Sequence, residues 1–468
     1  MSENLIEKQN NSLKTEIGDE NSFSSESITN TDNFSIPEDI KFLRIVWCDN
    51  ANVIRAKAVH INTIEDSNYS VGISNAQQGV PVTFDGVIPE SGLGPVGEIH
   101  LKADISSFTP VPYSKGHGRV MGNMMANGSP WEYCPRDFLK RMIQKALKMG
   151  IEIKGAFENE FYLLNEFDGV IEPADNSPFA STYSMDKNIE IINEIVDTLV
   201  NQGMEVQQYY PEAGPGQNEI TIKYADALKA CDNQIAYRET VKAIASKNDL
   251  IASFLPKIFE EKAGSGCHLH LSLWNNNENI LGDSKNEYGI SEVGRHFIAG
   301  ILNHLPALMA ITAPIPNSYR RIKPNYWSGA FKCWGMDNRE AAIRGISETD
   351  NIMKHFEFKV LDASSNPYIA FGAIIAAGLH GIKEKIELEE PVQENPGILT
   401  DEELKERNII PLPSKLGNSI MELEKDNIIL DAMGYNFSKA YIAVKKAELD
   451  ALEHLELEEE VKLLLEKY

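Results

Sequence analysis

Several short stretches of the chain alternate strictly between apolar and polar residues, and longer stretches carry apolar residues three and four apart. In 267–273, Cys267, Leu269, Leu271 and Leu273 alternate with His268, His270 and Ser272. A period of two sends the two sets to opposite faces of a strand. One face of this strand therefore offers His, His and Ser to a shared space, and the glycine-rich turn 263–266 leads into it. Taken alone, the two histidines fit either a satisfied core pair or a site for a metal or phosphate. The same period runs through 151–164, with Ile151, Ile153, Phe157, Phe161 and Leu163 on one face and Glu152, Lys154, Glu158, Glu160 and Tyr162 on the other. Glu158 and Glu160 then sit side by side and repel unless something cationic lies between them. In 217–223, Glu219, Thr221 and Lys223 share a face, with Glu212 across a Gly-Pro-Gly turn. In 355–363, Glu357 and Lys359 oppose Phe356, Phe358 and Val360.

Helical spacing begins at Pro135, continues through Phe138, Met142, Ile143, Ala146 and Leu147, and stops at Gly150. Further helices are expected over 187–199, 225–247, 291–310, 364–386 (rich in small residues for close packing) and 437–468. Residues 41–61 read as a hairpin about the turn Asp49-Asn50-Ala51-Asn52, with Trp47, Asp49, Arg55 and Lys57 as solvent-facing decoration. The fold class that emerges is α+β: a small β-rich domain over 39–134 and a larger domain over 135–468. The segment 1–38 is rich in Asn, Ser and Glu and cannot bury enough apolar surface to offset its ordering entropy, so a disordered tail is expected there.

Length supports this division, since 468 residues exceed one small core. No run of about 18 apolar residues occurs, so no membrane span is expected. The first residues lack the basic and apolar blocks of a signal peptide. Five scattered cysteines without CxxC spacing suit a reducing, cytoplasmic setting with neither a disulfide framework nor a zinc knuckle. A net charge of -25 argues against nucleic-acid or anionic-membrane partners.

Against that acidic background, 317–344 gathers Arg320, Arg321, Arg339 and Arg344 among aromatic residues and glycines. They either bind anions or bridge to surface acids. Antiparallel pairing could line up the four polar strand faces inside one curved sheet. Five carboxylates and an imidazole without a thiolate favour Mg²⁺ or Mn²⁺. Magnesium held by carboxylates usually works on phosphates, and the arginines complement a transferring phosphoryl group. A metal-dependent, nucleotide-using enzyme follows, and no Walker A sequence is present. Two competing readings are a metal hydrolase, which wants more histidine ligands, and a scaffold that keeps an enzyme fold.

Six motifs in order resemble the glutamine synthetase family, type I: FENEF, PEAGPGQNE, AGSGCHLHLS, NSYRRIKP, DNREAAIR and FEFKVLDASSNPY. The resemblance implies a small N-terminal β-grasp domain and a larger catalytic domain with a curved antiparallel sheet and surrounding helices. It also implies a homododecamer with sites at subunit interfaces, and ATP, glutamate and ammonia or an amine as substrates. By position, Glu160, Glu212 and Glu219 would hold one divalent cation, Mg²⁺ or Mn²⁺, and Glu158, His268 and Glu357 another. His270, Ser272, Arg339 and Arg344 would serve ATP, and Gly264, Arg321 and Lys359 would serve glutamate. Asp49, reaching from a neighbouring subunit, would match the acid that helps deprotonate ammonium. The implied reaction forms γ-glutamyl phosphate, which an amine then attacks.

Some positions depart from the family pattern. Trp327 stands where the family's flap carries a glutamate, replacing a partner for a small cation with an apolar wall suited to a bulkier amine. Lys359 replaces an arginine and Ala263 an asparagine. Residues 381–434 contain no tyrosine, which speaks against tyrosine adenylylation there. These changes resemble the branch that includes γ-glutamyl-amine ligases.

Overall fold

The alternating stretches become neighbouring strands of one 12-stranded sheet in a computed structural model that describes residues 36–64, 66–347 and 352–468. Residues 1–35 of the expected tail lie outside the described residues. Glu152–Phe167 is the long central strand, and up to Phe161 a half-buried face carrying Glu152, Lys154, Glu158 and Glu160 alternates with a buried face of apolar residues and Asn159. Gln217–Ile222 pairs antiparallel with it on one side and Cys267–Asn275 on the other. Met353–Phe358 and then Ala341–Ser347 extend the antiparallel ladder. Five strands distant in sequence thus present their polar faces in fixed register, as period-two patterning requires once one face is buried.

A second, six-stranded sheet runs Ile54–His60, Phe42–Cys48, His117–Ala126, Glu98–Pro110, Ser70–Ser74, with Ser129–Pro130 at its side. The hairpin forms as the pattern predicts, pairing Cys48 with Ile54 at the turn. Two of its expected surface decorations are instead buried: Trp47 is 6% exposed and Asp49 is fully buried. The turn folds back onto the 363–366 segment, where Asn52 donates to the Ala363 carbonyl and Asn366 donates to that of Asp49. Val46, Cys48 and Met121 join the core of the larger sheet, and Glu38–Tyr468 forms one compact unit.

Helices cover the apolar back of the large sheet. Pro135–Lys148 starts with proline in its first turn, where a missing N–H costs nothing. It buries Phe138, Leu139, Met142 and Ala146, each large apolar side chain contributing about 1.5–3 kcal/mol. Gly150, at φ 74, turns the chain into the central strand. Glu292–Thr312 and Pro367–Glu384 touch backbone to backbone at Gly300 and Gly381, where a Cβ on Gly300 would lie 2.7 Å from the Gly381 Cα. The expected C-terminal helix is two helices, Tyr435–Leu452 and Leu457–Leu464. Glu456 and Glu459 form a capping box, and Glu458, Glu459 and Glu460 fill the first turn. That acidic run favours a fresh N-terminus over continuation. No helix among the described residues is long and apolar enough to cross a membrane, and all five cysteines are buried and unpaired.

Candidate active site

Register assembles the polar face. Glu219 lies opposite Glu160, Glu158 opposite His268, His270 opposite Glu357, and Glu357 opposite Arg344. The His268 Nδ1 is 3.1 Å from Glu357, 3.4 Å from Glu158 and 3.8 Å from Glu160. The His270 Nε2 is 2.9 Å from Glu158. Five residues from three strands thereby share one small volume.

Burial and like charge set the electrostatics. Glu212 is pushed up to about 7 by burial and by Glu160, and Glu219 is raised further by burial and by Glu158, Glu160 and Glu212. Glu357 and Glu158 are held below the usual carboxylate range against their burial, Glu357 by Lys359 and His268, and Glu158 by His268 and His270. The charge pattern is uneven. The Glu357 end has cations of its own, while Glu160, Glu212 and Glu219 repel one another. Relieving that repulsion takes either protonation of the acids or a cation among them.

Donor atoms of Glu158, His270 and Glu357 all lie within 4.8 Å of one another, a grouping that could hold a metal ion. His270, for which the resemblance implies a nucleotide role, therefore stands beside the expected ligands Glu158 and Glu357, and His268 also touches both carboxylates. His355, unassigned from sequence, packs 5.1 Å from the His270 ring, and burial lowers its pKa to about 4, keeping it neutral.

The remaining candidates divide. Gly264 lies against Arg321, where a Cβ would come within 2.6 Å of the Arg321 Cγ and of the Pro256 carbonyl. Arg321 is 6% exposed, donates to the Leu361 carbonyl at 3.2 Å, and leaves its Nε without a partner. Lys359 turns onto Glu357 at 2.8 Å. Arg344 reaches Glu357 at 3.3 Å, also with an unpartnered Nε. Ser272 accepts the Trp274 indole N–H at 2.8 Å, which leaves its own hydroxyl hydrogen free to donate. Arg339 is exposed and near enough to Tyr210 to oppose the pKa rise that burial and Glu212 cause there. Arg320, for which an anion and an acid were both open as partners, takes the acid: it pairs with the buried Glu460 at 2.7 Å and bonds the Leu455 carbonyl.

Asp49 is not brought to this cluster. Its Oδ1 accepts the N–H groups of Ala51 and Val53, and its Oδ2 is 2.6 Å from Arg55. Burial raises its pKa to about 6 despite Arg55.

Trp327 is 55% exposed in a loop with left-handed backbone at Asn325, Trp327 and Gly329. The buried Glu340 accepts the N–H groups of both Asn325 and Trp327 and so fixes the loop. Gly329, at φ 76, closes the loop's base, where a Cβ would lie 3.0 Å from the Ala342 Cα and 3.3 Å from the Lys359 Cβ.

Sequence reasoning passed over Gln217 and Asn159. The Gln217 amide donates to Glu160, the Gly264 carbonyl and Ser265 at 3.0–3.2 Å and accepts the Gly214 N–H. It ties an acid of the cluster to the glycine turn. Its place two residues before Glu219 on one strand face was the available signal. Asn159, on the buried face between Glu158 and Glu160, forms a reciprocal pair with Gln234 at 2.6–2.7 Å.

Residues 132–463 match the family described as glutamine synthetase, catalytic domain. A relative described as type-1 glutamine synthetase 1, from Dictyostelium discoideum, is 37% identical over 92% of this chain and 90% of its own length. Glutamine synthetase of Pyrococcus abyssi is 36% identical over 89% of this chain and 92% of its own. Among solved structures, a GmaS/ADP complex superposes with a TM-score of 0.80 at 26% identity, covering 91% of this chain and 96% of that one. A novel glutamine synthase homolog does so with a TM-score of 0.81 at 27% identity, covering 93% and 100%.

Proposed function

The chain belongs to the glutamine synthetase family of ligases, which join glutamate to ammonia or an amine, and from that premise we propose that it spends ATP to activate the γ-carboxylate of glutamate and passes the γ-glutamyl group to ammonia through γ-glutamyl phosphate. The observation that carries this reading is the register that sets Glu219, Glu160, Glu158, His268, His270, Glu357 and Arg344 side by side on one sheet face.

In this reading Glu160, Glu212 and Glu219 hold one Mg²⁺ or Mn²⁺, and Glu158, His268 and Glu357 hold another, with His270 close enough to share it. Such cations, when bound, screen the charge of the triphosphate and of the attacking carboxylate. The chain's own residues orient the reactants. Arg344 and Arg339 face the transferring phosphoryl group, and Ser272 and His270 contact the nucleotide. Arg321 and Lys359 receive the carboxylates of glutamate, and Gly264 lets the substrate approach backbone. Asp49 would act only in an assembled ring, on the neighbouring subunit's site, after release from Arg55.

A second reading, a larger amine such as ethanolamine or a polyamine as acceptor, is supported by Trp327. Its exposed indole in the clamped loop offers an apolar wall and a cation–π surface instead of a carboxylate. The test is product analysis after incubating the full chain with glutamate, ATP, Mg²⁺ and each amine in turn. Glutamine is expected with ammonium. A γ-glutamyl amide formed only with a larger amine would replace the first reading by the second, and no amide with any amine would overturn both.

A further inference from the structure

A cavity of about 490 Å³, lined by none of the residues of the carboxylate cluster, opens between the hairpin turn, the 81–85 loop, the helix Ala227–Lys247 and the last residues of the chain. Arg55, Thr83, Arg238, Lys242, Glu466 and Lys467 are among its lining residues. Arg238 is the unusual member. It is 2% exposed, and its Nε and Nη1 have no hydrogen-bond partner. The Thr83 hydroxyl, on the facing loop, is likewise buried and unpartnered. The other cations are occupied: Lys467 donates to the Val82 carbonyl at 2.8 Å, Lys242 donates to the Glu466 carbonyl, and Arg55 holds Asp49. Of the acids lining the cavity, Asp85 and Glu466 are exposed to solvent, which screens them, and Glu239 is half-buried.

Two guanidinium nitrogens left without hydrogen-bond partners inside a protein are costly, even with the buried acids Asp49 and Glu448 in the same neighbourhood, and an anion that reaches them removes that cost. Arginine, a hydroxyl and a flanking ammonium are the donor set that carboxylates and phosphates select. The volume falls in the range of small-molecule sites. We infer that this cavity is a second ligand site, separate from the carboxylate cluster, that binds a small organic anion carrying a carboxylate or phosphate group against Arg238 and Thr83. Because Arg55 lines the same cavity and restrains Asp49, a bound anion competes with Asp49 for that guanidinium.

The experiment is calorimetric titration of the full chain with inorganic phosphate and, separately, with succinate. Mg²⁺ and a non-hydrolysable ATP analogue are kept at saturation so that the carboxylate-lined site is filled. Binding of one probe and not the other assigns the group as phosphate or carboxylate. Arg238→Met is expected to weaken binding at least about tenfold, the loss of one charge-assisted contact, and Arg238→Lys to recover part of it. Thr83→Val is expected to weaken binding severalfold, and it carries the test if Arg238→Met does not fold. No binding of either probe, or equal affinity in wild type, Arg238→Met and Thr83→Val, would overturn the inference. A ligase activity that fails to appear leaves this result untouched, since its readout is binding at Arg238.

Discussion

The Lys359 ammonium lies 2.8 Å from the Glu357 carboxylate, and the two side chains are 3% and 2% exposed. Glu357 is in turn 3.1 Å from His268 and 3.3 Å from Arg344, so three cationic or protonatable groups surround one buried acid. At this end of the site the protein supplies its own positive charge. At the Glu160, Glu212, Glu219 end it does not.

Removing the charge of Lys359 strands Glu357 in the interior. Lys359→Met is expected to destabilise the metal-free protein by about 3–5 kcal/mol, the usual cost of breaking a buried pair. Saturating Mn²⁺ should restore part of that loss if Glu357 is a ligand. Thermal unfolding with and without Mn²⁺ checks this, and an equal loss under both conditions would separate Glu357 from the metal.

The raised carboxylates make stability depend on pH. Glu212 at about 7, and Glu219 higher, hold protons in the folded chain that the unfolded chain has already released. The folded state therefore binds more protons over this range, and these two groups make stability fall as pH rises from about 4.5 towards 7. Glu158 and Glu357 are shifted the other way, and their contribution is lost only as pH falls below about 4.5. Melting curves from pH 5 to 8 without metal should slope downward. Divalent cation should raise the melting temperature more at pH 8 than at pH 5, and a pH-independent increment would contradict the cation's place among these acids.

Gln217 joins Glu160 to the glycine turn. Gln217→Leu removes an amide whose two hydrogens are shared among three acceptors; Glu160 keeps the Gly266 N–H, and an acceptor left unmet in the interior costs about 1–3 kcal/mol. A folded but less stable variant is expected, with a raised KM for glutamate because the Gly264 backbone loses its tether. Unchanged kinetics would make Gln217 purely structural.

The Trp327 loop should control the choice of amine. Trp327→Glu is expected to shift relative kcat/KM towards ammonia. Glu340→Ala frees the Asn325 and Trp327 N–H groups and should raise KM for every amine alike. Amine profiles of both variants check the two roles, and an unaltered profile for Trp327→Glu would remove the indole from acceptor selection.

The alternation in 151–164, 267–273 and 355–363 was legible because a buried back face enforces period two, and it brought Glu158, Glu160, His268, His270 and Glu357 to one face. What period cannot encode is which neighbour a side chain finds across elements far apart in sequence. Asp49 read as an exposed turn residue because its burial comes from contacts with 363–366 and from its own Arg55. For Arg320 the choice between an anion and a bridge to an acid stayed open because its partner, the buried Glu460, is 140 residues away. Gln217 carries no periodic signal beyond its shared face with Glu219, and its value lies in a turn that forms only in the folded chain. The C-terminal break hid in a continuous apolar pattern and was decided by the Glu456 cap.

The central claim, activation of the γ-carboxylate of glutamate by ATP, is tested most directly by isotope transfer. Glutamate labelled with ¹⁸O in its γ-carboxylate is turned over with ATP, Mg²⁺ and the amine that supports product formation, and the released phosphate is analysed by mass spectrometry. One ¹⁸O atom in each phosphate is the predicted result, because the carboxylate oxygen leaves with the phosphoryl group when the amine attacks. Phosphate released without label would contradict the account.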